Sequence, residues 1–481
     1  MNFAIVRYLI GWMLGIESIF LLLPALTAVI YGEPELPAYL IAAAISLAGA
    51  ALLCHRKPKN TRFYAREGYV TVALCWLILA VIGALPFVLS REIPFFIDAL
   101  FETVSGFTTT GATILGDVEA LSHASMLWRC LTHWVGGMGV LVFMLIVLPL
   151  AGGHTIFLMR AESPGPSVSK MSPHMRDTAA ILYAIYFGLT VLQMILLLIG
   201  GMPFFDAICV SLGTAGTGGF GNWNNSIAHY NSAYLQNVIT VFMILFGINF
   251  SAYFLILTRK FRQAFRIEEI RVYLGVIFVF AGLIAFNVRP MFGSLRESFH
   301  HALFQVASII TTTGFSTVDF DQWPTFSRAL LVLLMFIGAC AGSTGGGIKC
   351  SRILLLGKSV KKELMCLIHP RLVRVNKMDG QRVPHEVMRS INVFVVAYAF
   401  IFILSLLIIS LNCEDLVTCF TSVATTLNNV GPGLSLCGPT CNFDFFPPLS
   451  KCVLIFDMLA GRLELFPMLL LFTPGTWQRN K

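Results

Sequence analysis

Glycine and threonine gather at four places in a chain that is otherwise mostly apolar, around Gly111, Gly219, Gly314 and Gly431. The chemistry available at such places is the replacement of ion hydration. An alkali cation that sheds its water needs several oxygens in return, held loosely enough to release it, and rings of backbone carbonyls supply them. Glycine tolerates the positive φ values that turn successive carbonyls toward one axis. Threonine and serine add hydroxyls that brace a loop by hydrogen bonding. Helices ending at these loops would aim their partially negative carbonyl ends at a cation in the centre.

The four places are one motif repeated. DALFETVSGFTTTGAT (98–113), DAICVSLGTAGTGGFG (206–221), HALFQVASIITTTGFS (301–316) and TCFTSVATTLNNVGPG (418–433) align on their glycines. Twelve positions before each anchor stands a small residue (Ala99, Ala207, Ala302, Cys419), and six positions before it another (Ser105, Gly213, Ser308, Thr425). The anchors are spaced by 108, 95 and 117 residues. Long-period self-similarity of this kind marks repeated structural units. A ring of four loops needs four subunits or four repeats, and this chain has the repeats.

The elements that must hold these loops lie in a membrane. Of 481 residues 57% are hydrophobic and 12% charged, about half the charge of an ordinary soluble domain, and mean hydropathy is +0.79. Crossing the hydrocarbon core takes about 20 apolar residues. Ten stretches qualify: 3–31, 37–54, 69–90, 124–150, 178–200, 232–257, 272–288, 325–345, 390–411 and 450–473. The half-apolar stretch before each loop is about a dozen residues long, too short to span, and predicts a re-entrant half-helix. The expected fold is an all-α polytopic membrane protein with two leading transmembrane helices (1–54) and four helix–pore-loop–helix repeats. The repeats cover 69–150, 178–257, 272–348 and 390–473, with a basic cytoplasmic loop at 349–389. Twenty-six of the 33 Lys and Arg fall near the termini or in 55–68, 152–177, 258–271 and 346–389. The positive-inside rule then places both termini in the cytoplasm. Because the +8 net charge is dispersed between spans, it does not suggest a nucleic acid partner.

Other groups could also do chemistry. Ser343-Thr344-Gly345-Gly346-Gly347 should break the second span of the third repeat, since each glycine costs a helix about 1 kcal/mol. Mobile backbone would then lie below the loops. Arg462 stands near the middle of the last span, where an ionised arginine costs roughly 3 kcal/mol. Pairing with Asp457 or Glu464 is awkward at their spacings on one helix. Arg462 is therefore expected to face the 345–347 carbonyls and act as an electrostatic brake. Asp98, Asp206 and Glu102 near the half-helices either draw cations to the mouth or serve local backbone. His123, His133, His154 and His174 show no ligand spacing, and Cys413, Cys437 and Cys441 offer one extracytoplasmic disulfide. Gly216-x-Gly218-x-x-Gly221 matches a dinucleotide fingerprint but lacks its βαβ context. Gly342-x4-Gly347 fails as a phosphate loop because Ile348 precedes Lys349. Without paired carboxylates or a nucleophile–base set in the spans, the chain is not expected to be an enzyme.

The loops Thr-Thr-Thr-Gly, Thr-Gly-Gly-Phe, Thr-Thr-Thr-Gly-Phe and Leu-Asn-Asn-Val-Gly-Pro-Gly resemble those of the Trk/Ktr/HKT potassium-transport superfamily. So do AGSTGGGIK (341–349) and AGRLELF (460–466). The resemblance covers essentially the whole chain and is nearest to the membrane subunits of bacterial Trk systems. It implies one pore with fourfold pseudosymmetry and potassium uptake across the bacterial inner membrane. It also implies a homodimer in membrane lipid and a cytosolic nucleotide-binding regulatory subunit. K+ would be the transported ion, with no cofactor held by this chain. The selectivity filter implied by the resemblance is Thr109, Thr110 and Gly111; Thr217, Gly218 and Gly219; Thr312, Thr313 and Gly314; and Asn429, Val430 and Gly431. The implied gate is Ser343, Thr344, Gly345, Gly346 and Gly347 with Lys349 and Arg462. Loops two and four depart from Thr-Thr-Gly, so the ring should be chemically uneven. Serine at the first-loop glycine accompanies sodium permeation in plant relatives, and Gly111 favours potassium. The alternative is a sodium-permeable or proton-coupled cation symporter of the same superfamily. Since no soluble segment is long enough to bind nucleotide, a regulator would dock on the basic loops, with Lys358, Lys361 and Lys362 among its contacts.

Overall fold

A computed structural model of the chain describes residues 1–58, 64–139, 175–371 and 375–478. Among the described residues six helices are long and apolar enough to cross a membrane, and a bent pair makes up to seven. The leading helices α1 (Phe3–Tyr31) and α2 (Leu36–Cys54) form a hairpin. They approach closely where α1 has Gly11: a methyl group there would come within 2.9 Å of the Leu53 Cβ. Ser46 in α2 donates to the Leu14 carbonyl at 2.8 Å.

The first repeat comprises α3 (Ala65–Ser90), α4 (Phe96–Phe107) and α5 (His123–Gly137). The second has α6 (Met175–Ile199), α7 (Phe204–Gly216), α8 (Ala233–Phe246) and α9 (Phe250–Leu257). In the third come α10 (Glu268–Phe292), α11 (Leu295–Ile310) and α12 (Thr325–Phe336). The connection to the fourth carries α13 (Cys350–Ile368) and a small antiparallel hairpin of β1 (Lys377–Met378) and β2 (Gln381–Arg382). The fourth repeat has α14 (His385–Ile409), α15 (Leu416–Leu427), α16 (Pro448–Arg462) and α17 (Phe466–Leu471).

The helices that lead into the loops, α4, α7, α11 and α15, have 12, 13, 16 and 12 residues. At 1.5 Å per residue they reach about 18–24 Å, short of a hydrocarbon core of about 30 Å. Their C-terminal halves are sheathed in protein: Thr103 to Phe107 in α4 and Val306 to Ile310 in α11 are all buried. By contrast α2 leaves Leu40, Ile41, Leu47 and Leu52 exposed, an apolar surface suited to lipid.

The second helix of each repeat departs from the hydropathy pattern, which predicts one break, in repeat three. The α5 helix stops at Gly137, followed by Gly139 at φ 77°, and residues 140–150 of the expected 124–150 span lie outside the described residues. Helices α8 and α9, expected as one span over 232–257, meet at a 94° bend. Helix α12 ends at Phe336 rather than continuing to 345. The last span breaks after Arg462, with Glu464 and Leu465 at φ 55° and 68°. Apolar and glycine residues flank the first three breaks, so hydropathy alone passes over them, whereas the last falls at the charged Arg462 and Glu464. Asn249 gives the second-repeat break a local cause, because its side chain caps α9 by accepting the Ser251 N–H at 2.8 Å.

Both ends of the described chain meet. The Met1 ammonium donates to the Gln478 carbonyl at 3.2 Å, and Arg7 to the Arg56 carbonyl at 2.9 Å. Most of the basic loop 152–177 and the terminal Arg479 and Lys481 lie outside the described residues. Cys413, Cys437 and Cys441 are free thiols, so the disulfide offered by their spacing is not formed.

Candidate functional site

All four short helices end alike. Thr109, Thr217, Thr312 and Asn429 take left-handed φ values of 55°, 55°, 58° and 56°. The next N–H folds back to a carbonyl five residues earlier: Thr110 to Ser105 (2.9 Å), Gly218 to Gly213 (2.9 Å), Thr313 to Ser308 (2.8 Å) and Val430 to Thr425 (2.8 Å). This is the Schellman close of a helix, which ordinarily has glycine at the left-handed position. It accounts for the small residues six before each anchor, which supply those carbonyls and let the chain turn back over them.

The anchor glycines also have positive φ: 78° at Gly111, 80° at Gly219, 85° at Gly314 and 98° at Gly431. What surrounds them closes a circle. A methyl group on Gly111 would overlap the Gly218 carbonyl oxygen, one on Gly219 the Thr313 oxygen, one on Gly314 the Val430 oxygen, and one on Gly431 the Thr110 oxygen. Loops one, two, three and four thus touch in order and return to the start. The four oxygens of Thr110, Gly218, Thr313 and Val430 form one layer, each against the neighbouring loop's glycine.

Side chains brace this ring from behind. Hydroxyl pairs Thr108–Thr110 and Thr311–Thr313 lie at 2.8 and 2.7 Å. The Asn429 amide donates to the Thr110 hydroxyl and to the Met458 carbonyl, both at 2.9 Å. Glu102 is buried and accepts from Arg129 at 2.8 Å, Thr113 at 3.0 Å and the Ile114 N–H at 3.1 Å. Asp206 accepts from Asn222 and Tyr230 at 2.7 Å, and Asp98 pairs with Lys451 at 2.7 Å. Each of the three acids thus has hydrogen-bond or ion-pair partners within the protein. Where α15 begins, Asp415 accepts from the Thr418 hydroxyl at 2.6 Å and N–H at 3.0 Å, and hydrogen bonding, from Thr418 first, holds its carboxyl down at about 2.

One cavity opens beside Gly111, Gly219 and Gly314, and a second is lined by Gly345, Gly346, Gly347, Lys349 and Arg462. The glycine-rich stretch lines the second cavity and touches the third loop. Its stem is a backbone pairing, Gly338 N–H to the Ile348 carbonyl at 2.8 Å. At its tip the Gly346 N–H donates to the Thr312 hydroxyl at 2.6 Å. The buried Glu269 carboxylate gathers both flanks, accepting from the Ala341 N–H at 2.7 Å and the Ser351 N–H at 2.9 Å. Ser343 donates to the Cys340 carbonyl at 2.6 Å, the Thr344 hydroxyl to the Phe246 carbonyl at 3.2 Å, and Lys349 to the Gly345 carbonyl.

Arg462 reaches this stretch, though not at the expected carbonyls of 345–347. One guanidinium nitrogen donates to the Thr344 carbonyl at 2.8 Å, the other to Gly136 and Gly137 at 2.5 and 2.8 Å. The last two acceptors are exposed by the break after α5, which the hydropathy pattern does not reveal. Neither nearby acid is its partner: Glu464 pairs with Arg352, and Asp457 accepts from Ser405 at 2.7 Å. His133, which shows no ligand spacing in the sequence, meets backbone atoms of the first short helix and the second loop, Gly106 at 2.7 Å and Phe220 at 3.1 Å.

A multi-pass helical protein whose re-entrant loops close a carbonyl ring between two cavities has the architecture of an ion-transport protein. The family described as TrkH, cation transport protein, matches residues 37–478, and the chain belongs to it. It is 38% identical over 485 residues to the Trk system potassium uptake protein TrkH of Salmonella typhimurium, covering 99% of this chain and all of that one. It is 33% identical over 479 residues to TrkG of the Escherichia coli Trk system, covering 98% of both chains. The crystal structure of the potassium transporter TrkH from Vibrio parahaemolyticus matches with a TM-score of 0.89 at 32% identity, over 99% of this chain and all of that one. The family is one of transporters, not of enzymes.

Proposed function

We propose that the chain takes up potassium across the bacterial inner membrane through the ring of four loops. The closed circle of glycine-to-carbonyl contacts carries this reading. It puts four backbone oxygens in one layer at the carbonyl ends of four helices, which suits a dehydrated monovalent cation. Thr109, Thr217, Thr312 and Asn429 line the ring beside Gly111, Gly219, Gly314 and Gly431. The stretch 343–347, held by Lys349 and Arg462, is the gate. The four repeats supply one pore per chain, and the chain works as a homodimer with both termini cytoplasmic. A cytosolic nucleotide-binding subunit docks on the basic loops and releases the gate. The relatives named for potassium uptake support the choice of ion. The test is uptake by the purified chain in proteoliposomes. Rubidium, standing in for potassium, should enter well ahead of sodium. Equal entry of the two ions, or entry no faster than into empty vesicles even for Arg462→Ala, which lacks the gate's tether, would overturn the reading.

A further inference from the structure

Loop two is the member of the ring with no side chain immediately before its anchor glycine, where the other loops have Thr110, Thr313 and Val430. Loops one and three have their threonine pairs and loop four has Asn429, whereas loop two has glycine at 218. We propose that His133 is the positioning residue of loop two, taking the place of the side chain Gly218 lacks and tying that loop to the helix of loop one. Selectivity then depends on a histidine outside the four loops. The proposal rests on reading the ring as the ion filter.

His133 lies on α5 and is fully buried. Its Nε2 is 3.1 Å from the Phe220 backbone nitrogen, which can only donate, so Nε2 accepts. Its Nδ1 is 2.7 Å from the Gly106 carbonyl, which can only accept, so Nδ1 carries the proton. One neutral tautomer satisfies both contacts and leaves no ring nitrogen unpaired. The Gly106 carbonyl also accepts the Thr109 N–H at 3.0 Å, within the turn that closes loop one. The imidazole therefore joins the turn of one loop to the backbone just after the anchor glycine of the next.

The loop is shaped around this ring. A methyl group at Gly218 would overlap the imidazole, and one at Gly216 would overlap the His133 carbonyl. Phe220 packs against two side chains of α5, with the imidazole 4.2 Å from its centroid and the Arg129 guanidinium 4.1 Å away. Threonine at 218, the residue type of loops one and three, would collide with His133. The departure of loop two from Thr-Thr-Gly and the presence of this histidine are thus one arrangement.

The experiment is rubidium uptake in competition with sodium, per folded protein in proteoliposomes, for His133→Phe, His133→Gln and Gly314→Ser. Phenylalanine keeps a ring but makes neither hydrogen bond, and discrimination should fall about tenfold. Glutamine both donates and accepts, and should retain most of it. Gly314→Ser changes a loop that His133 does not touch and tests the filter reading separately. If Gly314→Ser alters selectivity while His133→Phe does not, the histidine only packs and the proposal is overturned. Unchanged selectivity in Gly314→Ser would overturn the filter reading instead. Should His133→Phe fail to fold, His133→Asn decides, since asparagine is smaller and can keep the Gly106 bond alone. Lowered discrimination in it supports the proposal, and wild-type discrimination overturns it.

Discussion

Thr109, Thr217 and Thr312 hold left-handed angles that β-branched residues rarely adopt. Such angles cost of order 1–3 kcal/mol each and persist where the surroundings enforce them, commonly at functional sites. Here the enforcing bonds are the turn N–H contacts of each helix end. Thr312 has a further use for its hydroxyl, as acceptor for Gly346, while the Thr109 hydroxyl is buried without a hydrogen-bond partner among the described residues. Thr109→Gly should therefore stabilise the fold by about 1 kcal/mol, raising the melting temperature, while lowering rubidium over sodium selectivity. A higher melting temperature with unchanged selectivity would remove Thr109 from the ion path. The anchor glycines were legible in the sequence because their geometry demands small residues at fixed intervals. The braces were not. Glu102, Arg129 and His133 meet partners on loops or helices that sequence spacing does not bring together.

Among elements, the glycine-rich stretch is tethered mainly by polar contacts: Thr312 above it, Arg462 beside it and Glu269 at its flanks. Under the proposed gate, an arginine gripping carbonyls of two repeats would both close the passage and place positive charge where a cation must travel, an effect strengthened where water is scarce. Arg462→Ala should raise basal rubidium flux, and deleting part of 343–347 should do the same. Glu269→Gln should raise it less, since an amide oxygen still accepts but more weakly than a carboxylate. Flux per folded protein, with no regulator present, is the readout. Flux at or below wild type in well-folded variants would make the brake untenable. The third-repeat break was visible as three successive glycines. Those after α5 and α8 were hidden by flanking residues with no charge, so the acceptors at Gly136 and Gly137 were hidden as well; the one after α16 falls at Arg462 and Glu464, whose charges do not by themselves mark a helix end.

At the scale of the molecule, composition and hydropathy identified an all-helical, multi-pass protein, and the loop alignment identified the elements that meet in its centre. The hairpin of β1 and β2 was not legible, being two residues per strand within a charged connection. Helix α13 presents Val360, Leu364, Leu367 and Ile368 along with Lys361 on its exposed surface, a mixed apolar and basic face suited to the proposed regulator. Lys358 is a poor probe of that face because it pairs with Glu268 and donates to the Lys377 carbonyl at 2.7 Å. Lys361→Glu leaves those contacts intact and should sharply reduce copurification of the regulator; undiminished binding would move the interface elsewhere. The central claim is that four loops of one chain make one ion-selective ring. Its most direct measurement is rubidium uptake against competing sodium for Gly111→Ser and Gly314→Ser, per folded protein. Both positions have positive φ and a neighbouring carbonyl where a Cβ would sit, so each serine must displace a ring oxygen. The predicted result is a loss of discrimination of about tenfold or more in both variants. Wild-type selectivity in both, with the fold intact, would contradict it.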